Sequence, residues 1–167
     1  GLSMPEVKVG DIQMHYEVNG EGYPLVMIIG GGANMDWWNP HMIEELSKNF
    51  KVVTFDNRGT GRTDVSDKEF SIKLFTDDTV GLMNALGISQ ANILGWSLGG
   101  LIVQELSLNY PEKVKKLILY STSCGGAKSV PRSQEATDML MRASAGGMST
   151  EEAVRMYIRP FLTSEFI

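Results

Sequence analysis

Residues 91–106 constrain the fold of this chain more than any other segment. An apolar stretch at 91–94 leads through Gly-Trp-Ser-Leu-Gly at 95–99 into apolar residues with helical spacing. This pattern predicts a strand, a tight turn with Ser97 at its apex, and a helix. Gly95 and Gly99 leave room for the strained backbone that such a turn imposes on the serine. The segment is typical of a nucleophile elbow, although a glycine-rich turn with an unreactive serine has the same spacing.

The segments around this turn alternate between strand and helix patterns. Residues 7–9 and 12–18 alternate apolar with polar side chains and predict a β-hairpin. Further strands are predicted at 24–29, 51–55 and 114–120, and helices at 40–48, 71–86 and 98–109. This order predicts an α/β fold with a mostly parallel, doubly wound sheet. After residue 125 the strand pattern stops, and amphipathic helices are predicted at 133–143 and 150–158.

Composition excludes several classes of partner. The chain has 167 residues, 43% of them hydrophobic, and a net charge of −5 without a Lys/Arg-rich run. We therefore expect one globular core, no nucleic-acid partner and no binding to an anionic membrane. No apolar stretch reaches the roughly 18 residues that a spanning helix needs, and no signal peptide is visible. The single cysteine, Cys124, excludes an internal disulfide and predicts a cytoplasmic protein with a buried, inert thiol.

Three loops follow three successive predicted strands. They are Gly-Gly-Gly at 30–32, Asp-Asn-Arg-Gly-Thr-Gly-Arg-Thr-Asp at 56–64, and the serine-containing turn at 95–99. In this order they resemble the N-terminal two thirds of the α/β-hydrolase superfamily, especially small esterases and members similar to 3-oxoadipate enol-lactonase. The resemblance implies a division into 1–124, the N-terminal part of the hydrolase core, and 125–167, the start of a helical cap. It also implies a chain truncated after the sixth strand and the start of that cap.

The resemblance assigns roles to several residues. Ser97 corresponds to the catalytic nucleophile, and the backbone N–H groups of Leu98 and Gly31 correspond to the oxyanion hole. Ile29 stands where the family usually has a histidine that braces the loop before Gly31. Trp37, Trp38 and Trp96 are candidates for a substrate pocket, although packing explains them equally well.

A serine nucleophile needs a base, usually a histidine oriented by a carboxylate. The two histidines, His15 and His41, both precede Ser97. The family order is serine, acid, histidine. We therefore expect the acid and base to lie outside this chain, or the protein to do no Ser–His chemistry. With its base absent, the chain by itself is expected to show negligible turnover.

These observations favour a serine hydrolase that acts on a small carboxylic ester or lactone through an acyl-enzyme, without metal or cofactor. The alternatives are a non-catalytic binding or interaction member of the fold, a cofactor-free haloperoxidase and a carbon–carbon hydrolase. Arg58 and Asp56 could bind an anionic substrate, but for Arg58 a role in bracing its loop is favoured. The apolar strand at 114–120 predicts dimerisation through an exposed sheet edge.

Overall fold

A computed structural model of the chain describes residues 5–130 together with 133, 134 and 138. The chain divides into two units, 1–126 and 127–167. All the strands and helices discussed below belong to the first unit. The helices predicted at 133–143 and 150–158 lie outside the described residues, apart from those three positions.

Six strands form one sheet, and an α-helix lies in each of the last three connections between them within the described residues. The strands are β1 (Glu6–Val9), β2 (Ile12–Asn19), β3 (Tyr23–Ile28), β4 (Phe50–Phe55), β5 (Ala91–Trp96) and β6 (Val114–Tyr120). The helices are α1 (Pro40–Ser47), α2 (Ile72–Ala85) and α3 (Leu98–Asn109). These elements confirm the strands and helices predicted before residue 125.

The helices begin where polar side chains cap them. Asn39 Oδ1 accepts the backbone N–H of His41 at 2.9 Å, and Pro40 then occupies the first position of α1. Ser71 Oγ accepts the backbone N–H of Leu74 at 3.0 Å at the start of α2. Each cap satisfies a donor that would otherwise lack a helical partner. Local sequence therefore decides where these helices begin.

The order of strands in the sheet is β1-β2-β4-β3-β5-β6. The pairs β1–β2 and β2–β4 are antiparallel, and all other neighbours are parallel, which confirms the mostly parallel sheet. Because β3, β4 and β5 run in one direction, their carboxyl ends share one edge of the sheet. The loops at 30–32, 56–64 and 95–99 therefore start side by side, which is where open α/β sheets place their ligand sites.

Hydrophobic clusters cover both faces of the sheet. Because successive strand residues point to opposite faces, β3 contributes Val26 and Ile28 to a cluster shared with α2 and α3. Leu25 and Met27 join a second cluster, which packs against α1. All four side chains are almost completely buried. This double-sided burial explains why the strand is an unbroken apolar run.

Strand β6 is one of the two edge strands of the sheet within the described residues. Its apolar side chains from Leu117 to Tyr120 are all exposed. The strand ends at Tyr120.

Cys124, which lies beyond the end of β6, is exposed. The expectation of a buried thiol is therefore wrong. The apolar residues before Cys124 belong to β6, which ends four residues before the thiol and therefore does not enclose it. Among the described helices, none is long and apolar enough to cross a bilayer.

Candidate active site

Ser97 occupies the turn between β5 and α3. Its backbone dihedrals are φ 54° and ψ −116°, a region that residues with a side chain rarely adopt. The residue is exposed, and α3 begins at the next position. The structure therefore places Ser97 at the strained apex between strand and helix that the sequence predicts.

Glycines surround this apex because the backbone segments approach too closely for a side chain. A Cβ atom added at Gly99 would overlap the carbonyl oxygen of Ile28 at the end of β3. A Cβ atom added at Gly95 would overlap the carbonyl oxygen of Gly99. The two glycines of the motif are therefore required by the contact between α3 and the neighbouring strands.

Three hydrogen bonds hold the apex. The backbone N–H of Ser97 donates to the carbonyl oxygen of Tyr120 at 3.0 Å, and the N–H of Gly100 donates to the carbonyl oxygen of Ser97 at 2.9 Å. The Thr122 hydroxyl also donates to the Ser97 carbonyl oxygen, at 2.7 Å. Thr122 cannot be predicted from the sequence as part of this turn, because nothing in a lone threonine after a strand indicates a partner 25 residues away.

The glycine loop after β3 packs against the same turn. A Cβ atom added at Gly30 would lie 3.3 Å from the Cβ atom of Ser97, and one added at Gly31 would lie 3.0 Å from Leu98 Cδ2. The structure thus brings the predicted nucleophile and both predicted oxyanion donors together. The first N–H groups of a helix lack helical acceptors and lie at its positive dipole end. The start of α3 is therefore suited to stabilise an anion beside Ser97.

Arg58 is buried inside the protein. Its side chain is 2% exposed, and its guanidinium forms paired hydrogen bonds with Asp78 in α2 and with Asp11 in the β1–β2 turn. Ser66 accepts a further bond at 2.7 Å. The bonds to Asp78 and Asp11 raise the pKa of Arg58 above its usual value. This arrangement supports the bracing role rather than substrate binding.

The predicted pocket tryptophans occupy different environments. The rings of Trp38 and Trp96 lie 6.3 Å apart with a 58° angle between their planes. Trp38 is buried, and its indole N–H has no partner among the described residues. Trp37 is 64% exposed. A cleft of about 440 Å³ next to α1 is lined by Trp38 but not by Ser97. A substrate pocket formed by these rings remains a prediction.

Neither histidine forms a hydrogen bond with Ser97. His15 is buried in β2, which is separated from β5 by β4 and β3, and its ring nitrogens have no partner among the described residues. The His41 side chain is 78% exposed, and its Nδ1 lies 3.9 Å from Glu44 Oε2. The Ser97 hydroxyl forms no hydrogen bond with any described side chain.

Among the described residues, no cluster of His, Cys, Asp or Glu side chains could hold a metal ion.

Several known proteins are similar to this chain. A protein of Azorhizobium caulinodans provisionally named carbamate hydrolase RutD is 34% identical over 70% of this chain and 43% of its own length. The 2-hydroxymuconate semialdehyde hydrolase of Pseudomonas sp. strain CF600 is 32% identical over 71% of this chain and 43% of its own length. The chain therefore spans less than half the length of these relatives.

Solved structures agree with this similarity. The enol-lactonase from Burkholderia xenovorans LB400 superimposes with a TM-score of 0.74 and 26% identity, covering 97% of this chain and 61% of that structure. The model of the alpha/beta hydrolase fold family matches residues 23–156, which include the glycine loop, the loop after β4 and the serine turn. The chain belongs to the α/β-hydrolase fold family.

Proposed function

We propose that Ser97 is the nucleophile of a serine hydrolase that cleaves a small carboxylic ester or lactone in the cytoplasm. The observation that carries this proposal is the placement of an exposed serine at a strained backbone position, directly before α3 and against the glycine loop. Strain at an exposed serine with donors beside it is characteristic of functional sites rather than of structural turns.

The proposed reaction starts with attack of Ser97 Oγ on the substrate carbonyl carbon. Negative charge then develops on the carbonyl oxygen, and the backbone N–H groups of Leu98 and Gly31 donate to it. Fixed donors of this kind lower the barrier by about 2.7–4 kcal/mol each. The positive end of α3 adds to this stabilisation.

The proton of the Ser97 hydroxyl has to pass to a base, which we propose is a histidine outside this chain. That histidine then gives the proton to the leaving alcohol, and water hydrolyses the acyl-enzyme. The chain spans 43% of the curated relatives, which supports a base located elsewhere in the intact protein. In this proposal the present chain contributes the nucleophile and the oxyanion hole.

A second candidate is hydrolysis of a carbon–carbon bond by the same serine. The similarity to 2-hydroxymuconate semialdehyde hydrolase favours it, and the enol-lactonase favours the lactone. The two reactions are separated by assaying the intact protein with an enol-lactone, a p-nitrophenyl ester and 2-hydroxymuconate semialdehyde. The ester or lactone proposal requires a higher kcat/KM for one of the first two substrates.

Labelling with a fluorophosphonate tests the proposed nucleophile. We expect the intact protein to be labelled at Ser97, as located by peptide mass spectrometry, and Ser97→Ala to abolish labelling. Ser121→Ala is the matched control, because Ser121 also follows a strand and has a positive φ of 46°. A folded intact protein that is not labelled, or is labelled at Ser121, would contradict the proposal.

A further inference from the structure

The carboxylate of Asp56, directly after β4, binds two backbone segments at once. Its Oδ1 accepts the backbone N–H of Met35 at 2.7 Å, and its Oδ2 accepts the backbone N–H of Arg62 at 2.8 Å. The side chain is completely buried. Burying a carboxylate is costly unless hydrogen bonds compensate it, and bonds from N–H groups to a charged acceptor are strong. Asp56 therefore holds the segment containing Met35 firmly against the end of β4.

Two further contacts join the same pair of segments. Asn57 Nδ2 donates to the carbonyl oxygen of Ile29 at 3.3 Å, just before the glycine loop. The Arg62 guanidinium donates to Asp36 Oδ1 at 2.8 Å, just after it. The glycine loop at 30–32 is thus fastened on both sides by residues that follow β4.

The loop after β4 has to wrap tightly around the Asp56 carboxylate. Gly61 has φ +51°, and a Cβ atom at this position would overlap that carboxylate. Only glycine combines this dihedral with the space that the carboxylate needs. The second glycine of the Asp-x-Arg-Gly-x-Gly segment, Gly61, is therefore explained by its contact with Asp56. The aspartate of the segment, Asp56, is explained by its contact with Met35.

We propose that Asp56, assisted by Asn57, is the positioning residue that fixes the backbone N–H of Gly31 in the oxyanion hole. This inference rests on the proposed function. Gly31 lies between Ile29 and Met35, the two points where the segment is fastened. The N–H of Ala33 donates to the carbonyl oxygen of Gly30 at 3.3 Å, so the residues between them form a turn. Asp56 thereby braces a loop that has Ile29 where the family usually has a histidine.

The role predicts a specific kinetic signature. An oxyanion donor has to lie within about 0.5 Å of its productive position. A displaced Gly31 would bind the ground-state ester almost unchanged but would stabilise the transition state less. Loss of the brace therefore lowers kcat and leaves KM nearly constant. A purely structural defect would reduce the amount of folded enzyme without this selectivity.

The test is Asp56→Asn in the intact protein, which preserves the size of the side chain but turns an amide NH₂ towards one backbone N–H. We expect kcat for a p-nitrophenyl ester to fall by about 10- to 100-fold, with KM changed less than about threefold. Affinity for a boronic acid that mimics the oxyanion should fall by a similar factor. Asp78→Asn is the matched control, because Asp78 is also buried and accepts two hydrogen bonds, both from Arg58. It should lower stability and leave kcat unchanged.

Hydrogen exchange gives a second readout, which needs no turnover. In Asp56→Asn the amides of residues 29–36 should exchange faster, whereas Asp78→Asn should not affect them. If Asp56→Asn does not fold, Arg62→Ala removes the contact with Asp36 and is expected to produce a smaller change of the same kind.

The outcomes separate this inference from the proposed function. An intact wild-type protein that fails to label at Ser97 overturns the proposed function. If the wild type labels, but Asp56→Asn matches Asp78→Asn in kcat and in exchange at 29–36, only the positioning role is overturned. If Arg62→Ala is used instead, unchanged kcat together with unchanged amide exchange at residues 29–36 also overturns the positioning role.

Discussion

The backbone N–H of Ser97 donates to the carbonyl oxygen of Tyr120 at 3.0 Å. The apex of the serine turn is therefore fastened to the last residue of the adjacent strand β6. Thr122, two residues later, donates to the Ser97 carbonyl oxygen. The strained conformation of Ser97 thus depends on the last residue of β6 and on Thr122 as well as on the glycines of its own motif.

Replacing Thr122 by valine tests this dependence. Thr122→Val keeps the shape of the side chain and removes the donor to Ser97, so we expect a loss of about 1 kcal/mol in the free energy of unfolding. Fluorophosphonate labelling of Ser97 in the intact protein should also become slower. The control is Thr79→Val, since the Thr79 hydroxyl donates to the Phe75 carbonyl oxygen within α2. Equal labelling rates in the two variants would argue against a role for Thr122 at the turn.

The close approach of α3 to β3 predicts a graded response to alanine substitution. In Gly99→Ala the new methyl group would overlap the Ile28 carbonyl oxygen, and backbone cannot move aside as a side chain can. We expect a loss of about 3 kcal/mol or more, measured by urea unfolding. In Gly30→Ala the new methyl group meets side-chain atoms of Trp96 at 3.2 Å and of Ser97 at 3.3 Å. That variant should lose clearly less, and an equal loss in both would refute this account.

The ion pair between Asp11 and Arg58 predicts acid sensitivity. Hydrogen bonds from Arg58, and secondarily from Lys68, hold the pKa of Asp11 below its ordinary value of 3.8. A carboxyl whose pKa is lower in the folded state stabilises the fold above its unfolded pKa. This stabilisation is lost as the pH falls from about 4 through the lower folded value.

We therefore expect Asp11→Asn to lower the melting temperature at neutral pH. It should also reduce the difference in melting temperature between about pH 6 and pH 3, compared with wild type. Asp67→Asn is a suitable control, because Asp67 is exposed and has no ion pair among the described residues. An Asp11→Asn variant with the same pH dependence as wild type would show that this pair does not govern acid sensitivity.

The exposed edge of β6 predicts self-association of the chain. Leu117, Ile118, Leu119 and Tyr120 are 42–57% exposed, and no described strand pairs with the outer edge of β6. Such an edge pairs readily with another strand. We expect light scattering to show a dimer that forms with increasing concentration, and the double variant Leu117→Lys with Leu119→Lys to weaken it. Val18→Lys, on β2 and far from β6 in the order of strands, should leave association unchanged. A monomer at all concentrations would exclude this interface.

The amino-acid sequence by itself determined the local features of this protein. Alternating and helical spacing placed the strands and helices, Asn39 and Ser71 marked the starts of α1 and α2, and the two glycines around Ser97 marked the turn. These features depend on neighbouring residues only, because capping, periodicity and backbone strain act over a few positions. The family resemblance rests on the order of such local features along the chain.

Only the tertiary structure decided which distant residues meet. Asp56 reaches Met35, and Thr122 reaches Ser97, because β3 lies between β4 and β5 in the sheet and β6 lies beyond β5. Local patterns do not encode this order of strands. The exposure of Cys124 was mispredicted for the same reason: burial depends on which elements cover a residue, not on its sequence neighbours. The contacts that hold the candidate site together are long-range, so the fold had to bring them into register.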